Sequence, residues 1–155
     1  MDNQKTCDRL DELKFEVFPI VLISQNIGYT ERLKQHYKEA FPRATITTFN
    51  DSDWDHIVEK IDEVAKSSGR DIGILLVPGS IGGRGNKNFK NKPYDSIPFF
   101  KKLYPEMLAV GLANALEQEV YDYLKTQGAD IILDRGEIEV LRNIDWTKQH
   151  VLQQP

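Results

Sequence analysis

At 155 residues, with 40% hydrophobic and 28% charged side chains, the chain fits one ordinary globular domain with a sizeable core. A net charge of −4 argues against general nucleic-acid binding, which needs a basic surface or stripe, and the single cysteine, Cys7, excludes an internal disulfide. No apolar run approaches the roughly 20 residues that span a bilayer, and Met1 to Lys5 lack a signal peptide's apolar segment, so no membrane association and a cytoplasmic location are expected.

In chain order, residues 1–17 are charged, with Leu10, Leu13 and Val17 at spacings of three and four. This pattern fits either a short leading helix resting on one narrow stripe or an extension that frays. The domain proper is placed at 18–155. Phe18 to Ser24 is a continuous apolar run, the mark of a strand covered on both faces. Thr30 is the expected N-cap of a helix over 31–40, with Leu33, Tyr37 and Ala40 on one face and Pro42 ending it. The β-branched stretch Ala44 to Phe49 alternates and predicts a strand near a sheet edge. Asp51, Ser52 and Asp53 supply caps and acid for a helix through Trp54, Ile57, Val58, Ile61 and Val64, which Ser67-Ser68-Gly69 stops.

The run Asp71 to Val77, halted by Pro78-Gly79, reads as the central buried strand. A short helix is expected around 97–103, a fourth strand over Met107 to Leu112, and a helix over 116–126 with Val120, Tyr123 and Leu124 inward and Gly128 as its C-cap. A fifth strand follows over Asp130 to Leu133, and a last helix begins near Glu137 and resumes from Asp145. Five alternations of strand and helix point to a doubly wound α/β sandwich: three layers around a five-stranded parallel sheet in flavodoxin-like order 2-1-3-4-5.

Ligand chemistry in such sheets gathers beyond the carboxyl ends of the strands, which directs attention to the long connection 79–92. Its glycines, Gly79, Gly82, Gly83 and Gly85, let backbone amides approach an anion, and Arg84, Lys87, Lys90 and Lys92 add positive charge. Gly82, Gly83, Arg84 and Lys87 are therefore the candidate anion-binding residues, for a phosphate-bearing small ligand or nucleotide, with Arg135 able to reach in from the fifth strand. The spacing matches neither a P-loop nor a dinucleotide fingerprint, and an ordinary solvated loop with charged gatekeepers explains the same residues.

The segment Leu108-Ala109-Val110-Gly111-Leu112-Ala113-Asn114, with Glu119-Val120 and then Gly128-Ala129-Asp130-Ile131-Ile132-Leu133, resembles the fourth strand, fourth helix and fifth-strand entry of response-regulator receiver domains. Asp71 to Leu75 with Pro78-Gly79 is similar to that family's third strand and its exit, and the resemblance spans about residues 18–145. The resemblance implies a degenerate pocket. Gln25 and Asn26 stand where the family's Mg²⁺-binding acids would be. Leu76, or Val77 if the register slips by one, takes the phosphoacceptor position. Ala113 replaces the hydroxyl-bearing switch residue, and Arg135 replaces the phosphoryl-pairing lysine. Mg²⁺ requires hard oxygen ligands, usually carboxylates, and an aliphatic side chain forms no acyl phosphate. The implied module is thus a pseudo-receiver that uses no cofactor or metal and performs no catalysis. It would act through a protein partner or as a homodimer, and the family's contact face falls here on Tyr121, Tyr123, Lys125, Arg135 and Glu137.

The remaining reactive side chains have plainer readings. Ser24 and Ser80 each follow a strand, but neither lies in a Gly-x-Ser-x-Gly elbow. His36, His56 and His150 are read as surface or packing residues. Asp51, Asp53 and Asp55 are read as helix-capping acids, since the glycine that a calcium loop needs is His56. Trp54 and Trp146 are read as core or rim anchors.

Overall fold

The computed structural model describes residues 3–24, 27–50, 54–79, 93–113 and 118–134. Their elements follow the order α1 (Asn3–Leu13), β1 (Pro19–Ile23), α2 (Ile27–Ala40), β2 (Thr45–Phe49), α3 (Trp54–Ser68) and β3 (Ile74–Pro78). A 3₁₀ turn (Pro93–Ser96) then leads into α4 (Ile97–Leu103), β4 (Leu108–Ala113), α5 (Gln118–Gln127) and β5 (Ile131–Asp134). The five strands form one parallel sheet in the order β2-β1-β3-β4-β5. This is the flavodoxin-like order expected from the alternation of elements.

Strict alternation along the inner strands divides the core into two layers. Val21, Ile23, Leu75, Val77, Ala109 and Ile132 face one side, where they meet Trp54, Ile57 and Ile61 of α3, Ile97 and Phe100 of α4, and Leu124 of α5. Ile20, Leu22, Ile74, Leu76, Leu108, Val110, Leu112, Ile131 and Leu133 face the other, with Leu33 and Tyr37 of α2 and Leu10 and Leu13 of α1. The leading segment is therefore helical, and its two leucines are fully buried. The continuous apolar runs in β1, β3 and β4 have this physical origin: both faces of each strand are covered.

Two glycines are required by geometry. Gly128 ends α5 at φ +92°, which side-chain-bearing residues rarely adopt. At Gly111 in β4, a Cβ would lie 2.6 Å from a Leu124 methyl, so α5 rests directly on the bare backbone.

Several expectations need correction. Thr30 is not an N-cap, because α2 already begins at Ile27. Burial of Tyr29 extends the apolar stripe Leu33 and Tyr37 back by one turn, and the Thr30 hydroxyl instead lies 3.4 Å from the Ser24 carbonyl and 3.2 Å from Asn50 Oδ1. On α5 the inward stripe is Val120, Tyr121 and Leu124, and Tyr123 is 37% exposed. Both 120/121/124 and 120/123/124 fit the helical period, and packing against the sheet selects the first. β4 begins at Leu108 and β5 at Ile131, one residue later than expected at each, because Met107 and Asp130 still belong to the turns that enter them. The expected helices beyond Glu137 lie outside the described residues.

Candidate functional site at the carboxyl edge

β3 reaches the carboxyl edge through Leu75-Leu76-Val77-Pro78. In register, Leu76 lies between Leu22 of β1 and Val110 of β4, while Val77 and Pro78 lie beside Gly111 and Leu112. Leu76 and Val77 are both fully buried, in opposite core layers. Whichever of the two is aligned with a phosphoacceptor, the last residues of this strand carry no carboxylate. Ala113 ends β4, buried, beside Asp134 of β5 in the ladder.

A residue that the sequence reading passed over sits at the same edge. Tyr94, on the 3₁₀ turn, is buried, and its hydroxyl donates to the Leu112 carbonyl at the end of β4. A Cβ at Gly79 would lie 3.1 Å from that hydroxyl, so the phenol lies against the exit of β3. Burial pushes its pKa up to about 12. The Tyr94 ring also packs 6.4 Å, centroid to centroid, from Tyr123 of α5, which connects the carboxyl edge to that helix. One signal could have found Tyr94: an aromatic directly after Pro93 and before a helix with Pro at its second position, a rigid turn fit to hold a ring in place.

A second polar centre fixes α4 to the sheet. The Asp130 carboxylate, 2% exposed as a residue, accepts from the Ala109 amide at 3.0 Å and pairs with the Lys101 ammonium. The Gly-Ala-Asp run thus locks the start of β5 to both β4 and α4. Among the described residues no group of histidine, cysteine, aspartate and glutamate is arranged to hold a metal ion, and no helix is long and apolar enough to cross a membrane.

Of the sequence-derived site residues, Leu76 and Ala113 come to the carboxyl half of neighbouring strands. Tyr121 packs against the core, while Tyr123 and Lys125 lie on the outer part of α5. Gln25, Asn26, Arg135 and Glu137 lie outside the described residues, as do Gly82, Gly83, Arg84, Lys87 and Ser80. Ser24 is buried, its amide donating to the Phe49 carbonyl at 3.1 Å, as a structural residue would. His36 and His56 lie on α2 and α3, Asp55 is exposed in the first turn of α3, and Trp54 is a core residue. Cys7 is half-buried.

No protein-family model matches the chain, and no characterised protein matches it by sequence. Solved structures do. The signal receiver domain of a DNA-binding response regulator from Colwellia psychrerythraea 34H superposes with a TM-score of 0.63 at 13% identity, covering 85% of this chain and 93% of that one. The isolated receiver domain of RcsB from Salmonella enterica serovar Typhimurium, solved with phosphomimetic BeF3⁻, gives 0.59 at 10% identity, over 81% and 85%. A CheY-like receiver domain protein from Methanospirillum hungatei JF-1 gives 0.55 at 12%, over 81% and 90%. At such identities the likeness is one of fold: the chain has the fold of response-regulator receiver domains.

Proposed function

We propose that this chain is a receiver-like signalling module that works by protein–protein contact, without aspartyl phosphorylation. One observation carries the reading: the carboxyl end of the central strand is Leu76-Val77-Pro78, with the first two side chains fully buried and no carboxylate at any of the three. The sequence adds neutral amides at Gln25 and Asn26, where a receiver would need carboxylates for Mg²⁺. Tyr94 supports the same reading, because a buried phenol bonded to the Leu112 carbonyl occupies the exit of β3.

The contact surface in this reading is the outer part of α5, with Tyr123 and Lys125, and Tyr121 at its margin; Glu137 extends it in sequence. Aromatic residues concentrate binding energy when a partner buries them, and Tyr123 is the exposed aromatic of this helix. Its ring contact with Tyr94 gives events at the carboxyl edge a route to that surface. The alternative from sequence, a phosphate-bearing ligand held by Gly82, Gly83, Arg84 and Lys87, rests on residues outside those described.

The test is incubation of the full chain with a small-molecule phosphodonor and Mg²⁺, followed by intact-mass measurement. The reading expects no covalent phosphoryl adduct. An adduct that hydroxylamine removes, the behaviour of an acyl phosphate, would overturn it.

A further inference from the structure

We propose that β2 is a homodimerisation edge, pairing antiparallel with β2 of a second copy about a two-fold axis at Thr47. This surface is separate from the α5 face and does not depend on the reading above.

The argument begins with the backbone. Among the described residues, β2 is the terminal strand of the sheet and pairs only with β1. The Thr45 amide donates to the Phe18 carbonyl at 2.9 Å, and the Phe49 carbonyl accepts from the Ser24 amide at 3.1 Å. Thr45, Thr47 and Phe49 therefore turn their backbone groups toward β1, and alternation sends those of Ile46 and Thr48 outward. Just upstream, Ala44 is already satisfied, its amide donating to the Phe41 carbonyl at 3.1 Å and its carbonyl accepting from the Lys38 ammonium at 2.9 Å. Among the described residues, the open edge thus presents two amides and two carbonyls, those of Ile46 and Thr48.

Exposed edges are normally protected by a charge, a proline or a bulge. Thr45-Ile46-Thr47-Thr48-Phe49 has none of these, and it is β-branched throughout except for its aromatic end.

The sequence of this edge also selects the occupant. In an antiparallel pair centred on Thr47, Ile46 faces Thr48 of the second copy and Thr48 faces its Ile46. Those are the two residues with outward backbone groups, so both pairs become hydrogen-bonded and together make four bonds. Thr47 then faces its own counterpart in a non-hydrogen-bonded pair, where side chains come closest. No like charges meet. The self-complementarity is that of an isologous interface, in which one patch serves both partners.

The side chains fit as well. Thr45, Thr47 and Phe49 line a groove of about 550 Å³ between β2 and α3, closed by Pro19, Lys60, Val64 and Ser67. Cross-strand partners point to the same face, so Phe49 of each copy falls beside Thr45 of the other, at the mouth of that groove. Phe49 is only half-buried in the monomer, and the pairing covers it on both copies.

The experiment is sedimentation equilibrium of the full chain from micromolar to several hundred micromolar, for the parent, Thr48→Pro and Thr47→Lys. Thr48→Pro removes an amide that donates to nothing within the sheet and so spares the fold, while Thr47→Lys brings two ammonium groups together at the axis. The expected result is reversible dimerisation in the parent and dissociation constants about tenfold higher or more in both variants. A parent that stays monomeric throughout overturns the proposal, as does a dimer lost in Tyr123→Ala and untouched by the two β2 variants.

Cysteine cross-linking in a Cys7→Ser background gives a second readout. At a non-hydrogen-bonded pair the Cα atoms lie about 4.5 Å apart, within disulfide range, so Thr47→Cys should oxidise to a covalent dimer. Thr45→Cys should not, since its counterpart is displaced by four residues, about 13 Å along the strand. Equal cross-linking at both positions would overturn the register.

Discussion

Placing an aspartate at the position proposed to correspond to the phosphoacceptor is an informative perturbation, and Leu76→Asp is its sharpest form. Leu76 is fully buried, flanked in register by Leu22 and Val110 and packed in the layer that α2 covers. Truncating such a leucine costs about 2–5 kcal/mol. A carboxylate in the same apolar place is pushed up by desolvation, and a rise of about 3 units costs roughly 4 kcal/mol at pH 7. Together the two reach about 6–9 kcal/mol, against a total stability on the order of 5–15 kcal/mol for a domain. Leu76→Asp is therefore expected to be largely unfolded at neutral pH. The folded-state pKa lies above the unfolded value of about 4, so the native state holds more protons and stability returns as pH falls toward that value. Leu76→Asn, nearly the same shape and uncharged, should lack this recovery. Circular dichroism and urea titration of both variants across pH measure the effect. If Leu76→Asp is as stable as its parent at pH 7 and shows no recovery in acid, the position opens to solvent and the reasoning fails.

Three further outcomes follow from the packing. Asp130→Ala leaves the Lys101 ammonium and the Ala109 amide without their shared acceptor, and should cost about 3–5 kcal/mol in urea unfolding, with Lys101→Met adding little on that background. Tyr94→Phe orphans one acceptor position on the Leu112 carbonyl and should cost about 1–2 kcal/mol. Because burial raises Tyr94 to about 12, from roughly 10 when unfolded, its contribution is present below pH 10 and lost as pH climbs toward 12, and tyrosinate absorbance should show one phenol fewer titrating at high pH in the variant. Leu13→Ala, at a fully buried position of α1, should cost about 2–5 kcal/mol, and no loss in thermal or urea unfolding would mean the leading helix is not docked.

The features that sequence conveyed were those governed by local periodicity. The apolar runs of β1, β3 and β4, the alternation in β2 and the stop at Gly128 each depend on nearby residues, and from them the sheet order followed. The features it hid depend on distant partners. Tyr94 reads as an ordinary loop aromatic until β4 brings the Leu112 carbonyl to it. Asp130 was legible as part of a family-like run, but its bond to Lys101, 29 positions away, was not. Thr30 carried a strong capping signal, which burial of Tyr29 overrode. Tyr121 and Tyr123 exchanged places because two aromatics two positions apart cannot share a helical face, and only packing decides which one turns inward. At the candidate site, the absence of a carboxylate from Leu76-Val77-Pro78 could be read directly, since no fold can supply chemistry that the side chains lack.

The measurement that bears most directly on the central claim is thermal unfolding of the full chain with and without Mg²⁺ and beryllofluoride. A working phosphorylation pocket saturated at about 100 times its dissociation constant would gain roughly 2.7 kcal/mol, a shift of several degrees in a domain of this size. The account predicts the same midpoint in all conditions. A rise that requires both Mg²⁺ and beryllofluoride would contradict it, and would mean that an acidic phosphoacceptor site exists elsewhere on this fold.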